Sequence, residues 1–490
     1  MAAPPARGGT LRVAISDAPV GFDPAIAPRA PARLVMEQVY SSLTRLDVDG
    51  NPLPGLAEDV REATDGRSWT VRLRRGARFH DGTPVTAEDV RFSLERIRRR
   101  ERDYTYWAWV EAIAGVTVLD QLTVRLDLSR VCAALPVWLA FAGTAIVSRR
   151  GAEAGLAIDT SPMGTGPFRW AGHPAPGVIR LERNEAFHGA PAPHLDALEF
   201  HVMPDPSARA AALRSGRVDF ADGVAAADWA GLTAAPGVIG APVVDGRYHW
   251  LMLNTALHPF GTRAVRQAIA HAIDRTAIAQ RAFAGHAEPI TGGWVAPWSW
   301  AAAPDLPRFA AAGDRDQARA LLAEAGLPDG FHTRITVGTG VPSAEAQAAV
   351  VAEALAGVGI TADVVALDQP RYLDVVWRDR QYEMSVMCWA SPLSEPDDFV
   401  GGQFRWGTRN NVEQYSATAL PEMIDSALEV SDRDRRRTMY REIQALALVE
   451  CPRIPTVFPA TLRAHTDRLR GYVPLRNGSL ASLSDAWLAE

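Results

Sequence analysis

Between Ile335 and Trp389 the sequence alternates between short apolar segments and longer helical ones. Strands are predicted at 335–338, 361–367 and 383–389, and helical patterns at 344–356 and 372–379 lie between them. Strands joined by helices in this order form a parallel or mixed sheet with right-handed crossovers. The chain is therefore predicted to be an α/β protein.

Other patterns extend this prediction to the rest of the chain. A strand at 11–15 ends at the turn residues Ser16 to Pro19, and a second strand is predicted at 69–79. The sequence Thr86 to Asp89 resembles a capping box that begins a helix. Further helices are predicted at 263–283, 315–325 and 434–450. No repeat or low-complexity linker separates the two halves of the chain. This favours a protein of two lobes in which the chain passes from one lobe to the other more than once.

Composition excludes several classes of function. The chain contains no lysine, so all 51 basic residues are arginines, and sites that need a lysine for phosphate binding or a Schiff base are excluded. A net charge of −6 argues against a nucleic-acid partner. The three cysteines lie far apart, so at most one disulfide can form. No apolar run is long enough for stable membrane insertion.

Signatures of catalysis and of metal binding are weak. Neither a G-x-S-x-G nor an H-E-x-x-H motif occurs, and Gly164-Thr165-Gly166-Pro167 has a proline where a dinucleotide loop would open a helix. His188 and His194 lack the spacing of metal ligands. The sequence therefore predicts no enzyme, no cofactor and no metal site.

Ligands of open α/β sheets gather beyond the carboxyl ends of strands, which directs attention to three places. These are the turn after Ile15 with Pro19, the chain at Asn254, and the polar stretch after Trp389 that contains Ser391 and Glu395. Arg405 and Trp406 follow this stretch. Such an arginine either clamps a carboxylate or planar ligand, or packs on a core tryptophan.

Tryptophan is unusually frequent, with 14 residues in the chain. Trp294, Trp298 and Trp300 fall within one segment rich in glycine and proline, so they cannot all face one core. Some of them either line a cleft or pack beneath a loop.

Taken together, several segments resemble the dipeptide/oligopeptide/nickel class of substrate-binding proteins of ABC importers, also called family 5. The segments that carry the resemblance are EQVYSSLTRLDVDGNPLPGLAEDV, FHDGTPVTAEDVRFSLERI, SPMGTGPFRW, LERNEAFHG, ALRSGRVDF, MLNTALHPFGTRAVRQAIAHAIDR and DRDQARALLAEAGLPDG. They stand in the family's order and cover nearly the whole chain.

The resemblance implies a two-lobed periplasmic-binding-protein fold with mixed sheets, a hinge, and an extra subdomain inserted in the first lobe. Lobe I would comprise 1–45, 166–255 and 466–490, the inserted subdomain 46–165, and lobe II 256–465. The hinge would lie near 250–254 and 460–470. A ligand would be enclosed as the lobes close.

The resemblance also implies a location and a partner. The protein would be exported to the periplasm as a monomer, and it would deliver its ligand to the transmembrane subunits of an ABC permease. The Ala/Pro/Gly-rich start, MAAPPARGGT, is typical of the stub that remains after removal of a signal peptide.

Two departures from the family bear on the ligand. Peptide binders of this class hold the ligand's amino terminus with an aspartate. It lies three residues after the tryptophan that corresponds to Trp389, where this chain has Pro392. Dipeptide members hold the carboxylate with an arginine after the strand matched by 335–338, where this chain has Thr339-Gly340-Val341-Pro342. Glu395 or Asp397 is a substitute for the first anchor, and Arg405 for the second.

We therefore expect a ligand other than a free-amino dipeptide, such as a modified amino acid or an opine-like, sugar-like or aromatic compound, either neutral or anionic, stacked on tryptophan. A di- or oligopeptide binder is the alternative, and a hydrolase or a chaperone or sensor on the same scaffold is the alternative of another class. The candidate ligand contacts are Trp389, Arg405, Trp406, Trp250, Trp298, Asn254, Pro19, Gly166, Ser391 and Glu395.

Overall fold

The structure is a computed structural model that describes residues 5–26, 30–99, 110–189, 192–306, 308–339, 341, 343–393, 395–404, 411–416 and 419–489. The chain divides into two compact units. Unit 1 comprises Met1–Val243 and Thr461–Glu490, and unit 2 comprises Val244–Ala460. The flanking residues Val243 and Thr461 exchange two backbone hydrogen bonds, with N···O distances of 3.1 and 2.8 Å.

A seven-stranded mixed sheet forms the centre of unit 1. Its strands lie in the order Val238–Gly240, Ala464–Thr466, Phe220–Ala221, Thr10–Ile15, Ala197–Val202, Val178–Arg183 and Phe168–Trp170. The first strand of the chain pairs in parallel with a neighbour on each side. Because it is central, Leu11, Val13 and Ile15 are fully buried.

A separate four-stranded antiparallel sheet also lies in unit 1, within the predicted inserted subdomain. Its order is Ala57–Glu62, Ser68–Leu73, Thr123–Leu128 and Ile113–Val118. The strand predicted at 69–79 is shorter than expected, because the chain turns at Gly76, whose φ is +78°. Two-stranded pairs join Thr44–Leu46 to Pro52–Pro54 and Leu469–Arg470 to Trp487–Leu488.

The helices of unit 1 are short. The capping box predicted at Thr86 is confirmed. The Thr86 side chain accepts a hydrogen bond from the backbone N–H of Asp89, and the Asp89 carboxylate accepts one from the backbone N–H of Thr86. The α-helices span Ala30–Val39, Ala87–Arg98, Leu135–Trp138, Arg149–Glu153, Pro206–Arg214 and Ala226–Thr233, and 3-10 turns span Pro24–Ile26, Ala142–Thr144 and Ala481–Asp485.

Unit 2 is built on a six-stranded mixed sheet, which confirms the predicted α/β class. Its order is Ala287–Pro289, Arg453–Pro459, Arg247–Leu253, Met384–Ala390, His332–Gly338 and Thr361–Leu367. The last two strands pair in parallel, and Arg247–Leu253 is antiparallel to both of its neighbours.

Helices pack around this sheet. They span Arg263–Ala272, Arg275–Phe283, Arg315–Glu324, Ala344–Ala356, Gln369–Tyr372, Asp397–Phe404, Ala419–Leu428 and Arg433–Glu450, with a π-helical segment at Leu373–Arg378. The single helix predicted at 263–283 is wrong. Asp274 starts a second helix there, because its side chain accepts a bond from the Ala277 amide and Ile273 is extended.

The division into units differs in detail from the predicted lobes. The predicted first crossing at 250–254 falls within and just after the strand Arg247–Leu253, which pairs on both edges inside the sheet of unit 2. The lobe boundaries and the hinge stay predictions. The cysteines Cys132, Cys388 and Cys451 are present as thiols. Among the described residues, none of the helices is both long and apolar enough to cross a membrane.

Candidate functional site

A cavity lined by three tryptophans lies within unit 2. The space between its walls, together with the open solvent at its mouth, amounts to about 300 Å³. Its walls contain two of the predicted ligand contacts, Trp250 and Trp389, and five further residues. The lining residues within the described part of the chain are Trp250, Met252, Trp377, Trp389, Val412, Glu413 and Arg453.

The strand register explains why these side chains meet. Side chains alternate between the faces of a strand, so Tyr248, Trp250 and Met252 share one face. Tyr248 lies opposite Trp389 on one neighbouring strand, and Met252 lies opposite Arg453 on the other. Residues that are directly opposite one another project to the same face of a sheet. The cavity therefore forms on this face, while His249 on the other face contacts Gln347 of a covering helix.

A buried ion pair forms part of the cavity wall. Nη2 of Arg453 lies 2.7 Å from Oε1 of Glu413, and only 1% and 2% of the two side chains are exposed. The same carboxylate oxygen accepts a hydrogen bond of 3.1 Å from the indole N–H of Trp250. The Glu413 carboxylate is buried away from water, and a buried charge needs partners within the protein. Arg453 and Trp250 are these partners.

The arginine of this pair is also held by aromatic rings. Its guanidinium carbon lies 4.5 Å from the ring centroid of Trp250 and 5.1 Å from that of Phe404, and Nη1 donates to the Tyr248 hydroxyl at 3.2 Å. Stacking on aromatic faces suits the planar, weakly hydrated guanidinium group. The cavity therefore has a preorganised aromatic wall in which the two charges neutralise each other.

Trp377 reaches the cavity from the π-helical segment Leu373–Arg378. Segments with π-type hydrogen bonds are often found at functional sites. The indole N–H of Trp377 is buried, and within the described part of the chain it has no hydrogen-bond partner. A buried donor without an acceptor is costly, so a ligand with an acceptor atom would gain from meeting it.

Trp298 does not line this cavity. It packs beside Gly246, in the turn before the strand Arg247–Leu253, where an added Cβ would lie 3.2 Å from Cζ2 of Trp298 and 2.9 Å from the Ser391 carbonyl oxygen. Its role as a ligand contact stays a prediction, and the observed contact is a packing one.

Ser391 and Asp398 form a short hydrogen-bonded chain. The Ser391 hydroxyl lies 2.8 Å from the Leu393 carbonyl oxygen and 2.5 Å from Oδ2 of Asp398. One hydroxyl proton serves only one of these acceptors at a time. If Asp398 is protonated, it donates to Ser391 while Ser391 donates to Leu393, so both contacts become hydrogen bonds.

The environment of Asp398 favours this protonated form. Burial raises the pKa of Asp398 from 3.8 to about 7, with a further contribution from the Asp397 carboxylate, although Ser391 and Trp389 act in the opposite direction. The folded chain therefore keeps a proton on Asp398 between about pH 4 and pH 7, where the unfolded chain releases it. The resulting stability is present at low pH and is lost as the pH rises through about 7.

Replacing Asp398 by asparagine should remove this pH dependence. Each pKa unit is worth about 1.4 kcal/mol, and partial exposure of Asp398 reduces the effect, so we expect the variant to be more stable by about 2 kcal/mol at about pH 8. At about pH 4 the difference should vanish. Urea unfolding at the two pH values measures it, with Asp316→Asn as a control because that side chain is 99% exposed. An equal effect at both pH values would contradict the assignment.

Two other acidic candidates are already engaged or buried. Oε2 of Glu395 lies 2.6 Å from Nη2 of Arg436, and each side chain is 4% exposed. Asp397 is 3% exposed and lies in the first turn of the helix Asp397–Phe404. Glu395 therefore has its cation within the protein, which disfavours it as the anchor of a ligand ammonium.

Asn254 is held by the backbone around it. Its side-chain amide donates to the carbonyl oxygens of Arg380 and Tyr382 at 3.0 and 2.9 Å, and its oxygen accepts from Gln414 at 2.8 Å. With 1% exposure and these partners, Asn254 orders the end of its strand.

Two candidates lie in unit 1. Pro19 is partly exposed in the segment after Thr10–Ile15. Gly166 packs on the end of the helix Ala30–Val39, where an added Cβ would lie 2.6 Å from the Gln38 carbonyl oxygen, and its own carbonyl accepts from Asn184 at 2.9 Å. Gly166 is thus explained by close packing. Arg405 and Trp406 lie outside the described residues.

Sequence reasoning missed five lining residues: Met252, Trp377, Val412, Glu413 and Arg453. One signal was available for Arg453, which is a single charge in the otherwise apolar stretch 451–459. A charge in a buried strand needs a partner, but its partner Glu413 is 40 positions away and carries no pattern of its own.

Comparison with known proteins gives a consistent result. The profile of the bacterial extracellular solute-binding proteins, family 5 (middle region), matches residues 51–411. The glutathione-binding protein GsiB of Salmonella choleraesuis is 29% identical over 462 residues, which cover 92% of this chain and 89% of that protein.

Solved structures agree on the fold. The binding protein AgaA in complex with agropinic acid, from A. tumefacien R10, superimposes with a TM-score of 0.84 at 26% identity and covers 98% of this chain and 99% of that one. The periplasmic binding protein DppA from Helicobacter pylori, in complex with the peptide STSA, gives 0.84 at 24% identity, with 99% of each chain covered. These neighbours are two-lobed periplasmic binding proteins.

The family match spans well over half of the chain, and the relatives cover nearly all of it. Proteins of this family bind small ligands for an ABC permease and act in transport rather than catalysis. The chain therefore belongs to family 5 of the bacterial extracellular solute-binding proteins, and it is the solute-binding component of an ABC importer.

Proposed function

We propose that this protein captures a small organic solute with a planar or ring-shaped group, and that ordinary free-amino dipeptides are not its ligands. Modified amino acids and opine-like, sugar-like or aromatic compounds fit this description. The observation that carries the proposal is the cavity in which Trp250, Trp377 and Trp389 meet. Flat aromatic walls favour flat or ring-shaped partners through stacking.

The residues at the positions predicted to anchor a ligand ammonium support the exclusion of dipeptides. A buried ligand ammonium needs a carboxylate, but Pro392 stands where peptide binders of this class place their aspartate. Glu395 is paired with Arg436 at 2.6 Å. An unpaired buried charge costs several kcal/mol, so we expect dipeptide affinity to be lower by about 100-fold or more than with a paired anchor.

The relatives show that this scaffold accepts varied ligands. GsiB is named for binding glutathione, and AgaA was solved with agropinic acid. Both relatives are similar to this chain over nearly its whole length. A ligand other than a dipeptide is therefore compatible with the fold.

The test begins with the ligand itself. Protein purified from its native host should carry the solute, which mass spectrometry identifies. Added back at about 100 times its dissociation constant, the solute should raise the free energy of unfolding by about 2.7 kcal/mol, seen as a higher melting temperature, and should be recovered unchanged. Micromolar binding of common di- and tripeptides in calorimetry would contradict the proposal, and recovery of an altered compound would indicate an enzyme.

Substitution of one cavity tryptophan should then weaken binding of the identified solute. We expect Trp389→Ala to lower its affinity by about tenfold or more, because a stacking face is lost. Trp300→Ala is the matched control, since Trp300 is a partly buried tryptophan of the same unit that lies outside the cavity lining and is not among the candidate ligand contacts. Equal affinities in the two variants, measured by calorimetry, would show that the solute binds elsewhere.

A further inference from the structure

The charge balance of the tryptophan cavity restricts what can enter it. Of the lining residues that the structure describes, two are charged, and these two, Glu413 and Arg453, are paired with each other at 2.7 Å. Each is almost fully buried, with 2% and 1% of its side chain exposed. The remaining lining residues, Trp250, Met252, Trp377, Trp389 and Val412, carry no charge.

An ionised ligand group would disturb this balance. A ligand carboxylate would compete with Glu413 for Arg453, and a ligand cation would compete with Arg453 for Glu413. Either displacement leaves one buried charge without its partner, which is strongly unfavourable. The guanidinium is further restrained between the rings of Trp250 and Phe404, at 4.5 and 5.1 Å, so it cannot turn toward a new partner without losing these contacts.

An uncharged group meets no such cost and finds a donor. The buried N–H of Trp377 has no acceptor among the residues that the structure describes. A carbonyl or ether oxygen on a planar group can accept this hydrogen bond while the ring stacks on the indoles.

We propose that the part of the ligand that enters this cavity is planar and uncharged and bears an acceptor oxygen, as in an aromatic or cyclic amide, so that any ionised groups of the ligand lie outside the cavity. This inference rests on the proposed function and narrows its ligand class.

Three planar probes of nearly equal shape separate charge from size. They are 4-fluorobenzamide, which is neutral, 4-fluorobenzoate, which is anionic, and 4-fluorobenzamidinium, which is cationic. Titrations of each into the full chain, followed by ¹⁹F NMR, should show 4-fluorobenzamide binding at least about tenfold more tightly than either ion. The carboxylate of 4-fluorobenzoate is a stronger hydrogen-bond acceptor than the amide of 4-fluorobenzamide. If the hydrogen bond from Trp377 alone decided affinity, 4-fluorobenzoate would therefore bind more tightly.

Several results would overturn the inference. These are equal or tighter binding of either ion, failure of 4-fluorobenzamide to bind at millimolar concentrations, and retention of its binding in both Trp377→Ala and Trp389→Ala. Trp300→Ala, outside the cavity lining and not among the candidate ligand contacts, should retain the binding of 4-fluorobenzamide.

A second experiment changes the charge of the cavity wall. Glu413→Gln keeps an oxygen that can accept from Trp250 but leaves Arg453 without its anionic partner, so the preference should shift from 4-fluorobenzamide to 4-fluorobenzoate by about tenfold. An unchanged order of affinities in this variant would overturn the proposal. If the variant folds poorly, the order of the three probe affinities in the unsubstituted chain still tests the proposal.

This test is separate from that of the proposed function. If no solute accompanies or stabilises the protein, the proposed function fails, although the neutral probe can still bind more tightly than either ion. If the solute binds but the ions bind as well as the neutral probe, solute capture stands and the inference about charge fails.

Discussion

Replacing Arg453 by methionine is expected to lower the free energy of unfolding by about 3–5 kcal/mol. The substitution leaves Glu413, with 2% of its side chain exposed, as a buried carboxylate without its cation. It also removes the group that stacks on Trp250 and donates to Tyr248. Guanidinium unfolding, followed by tryptophan fluorescence and circular dichroism, measures the loss.

Two further variants identify the cause. Glu413→Gln combined with Arg453→Met removes both charges, so it should recover most of the lost stability. Arg281→Met is the matched control, because Arg281 also pairs with a glutamate, Glu353, at 2.6 Å but with 52% and 67% of the side chains exposed. We expect its effect to stay within about 0.5 kcal/mol. A double variant as unstable as Arg453→Met alone would show that packing, and not the unpaired charge, is responsible.

Replacing Gly164 by alanine should cost about 3 kcal/mol in unit 1. An added Cβ would lie 2.1 Å from the Val39 carbonyl oxygen and 2.7 Å from Cδ1 of Tyr40, so the backbone of the preceding helix would have to move. The same unfolding measurement gives the effect. It tests the view that the glycines of the segment 161–170 serve packing rather than ligand contact.

Gly231→Ala is the control for this prediction. Gly231 lies inside the helix Ala226–Thr233, and the nearest atom to an added Cβ is Nη2 of Arg214 at 3.9 Å. Because alanine favours a helix over glycine, this variant should gain about 0.5–1 kcal/mol. A Gly164→Ala variant as stable as the unsubstituted protein would show that the helix end adjusts without cost.

The sequence predicted the elements that depend on local signals. The helix Ala344–Ala356 and the strand Thr361–Leu367 lie where their periodicity placed them, and the helix Arg315–Glu324, which Asp314 caps, matches the helix predicted at 315–325. One local signal was overlooked, since Asp274 is a capping residue inside a continuous apolar pattern. Periodicity alone does not separate two consecutive helices from one long helix.

The cavity was predicted only in part, because its residues are brought together by strand pairing. Trp389 was found from its place at the end of a strand and Trp250 from its residue type, but no local pattern connects Arg453 to Glu413. Their contact depends on the register that sets Met252 opposite Arg453. Sequence reasoning named Arg405, which lies outside the described residues, and it missed Arg453, which lies in the cavity wall.

The paired residues Val243 and Thr461 have a consequence for how such proteins diversify. Unit 2 is encoded by one uninterrupted stretch, codons 244 to 460, and the residues that flank it are joined by two backbone hydrogen bonds. Insertions are best tolerated where the two ends of the inserted piece meet at the same point on the host. Two recombination events, one beside each of these residues, would therefore exchange the whole tryptophan cavity as a single cassette. A new specificity could then be inherited at once, without changing the length of any connection in the recipient unit.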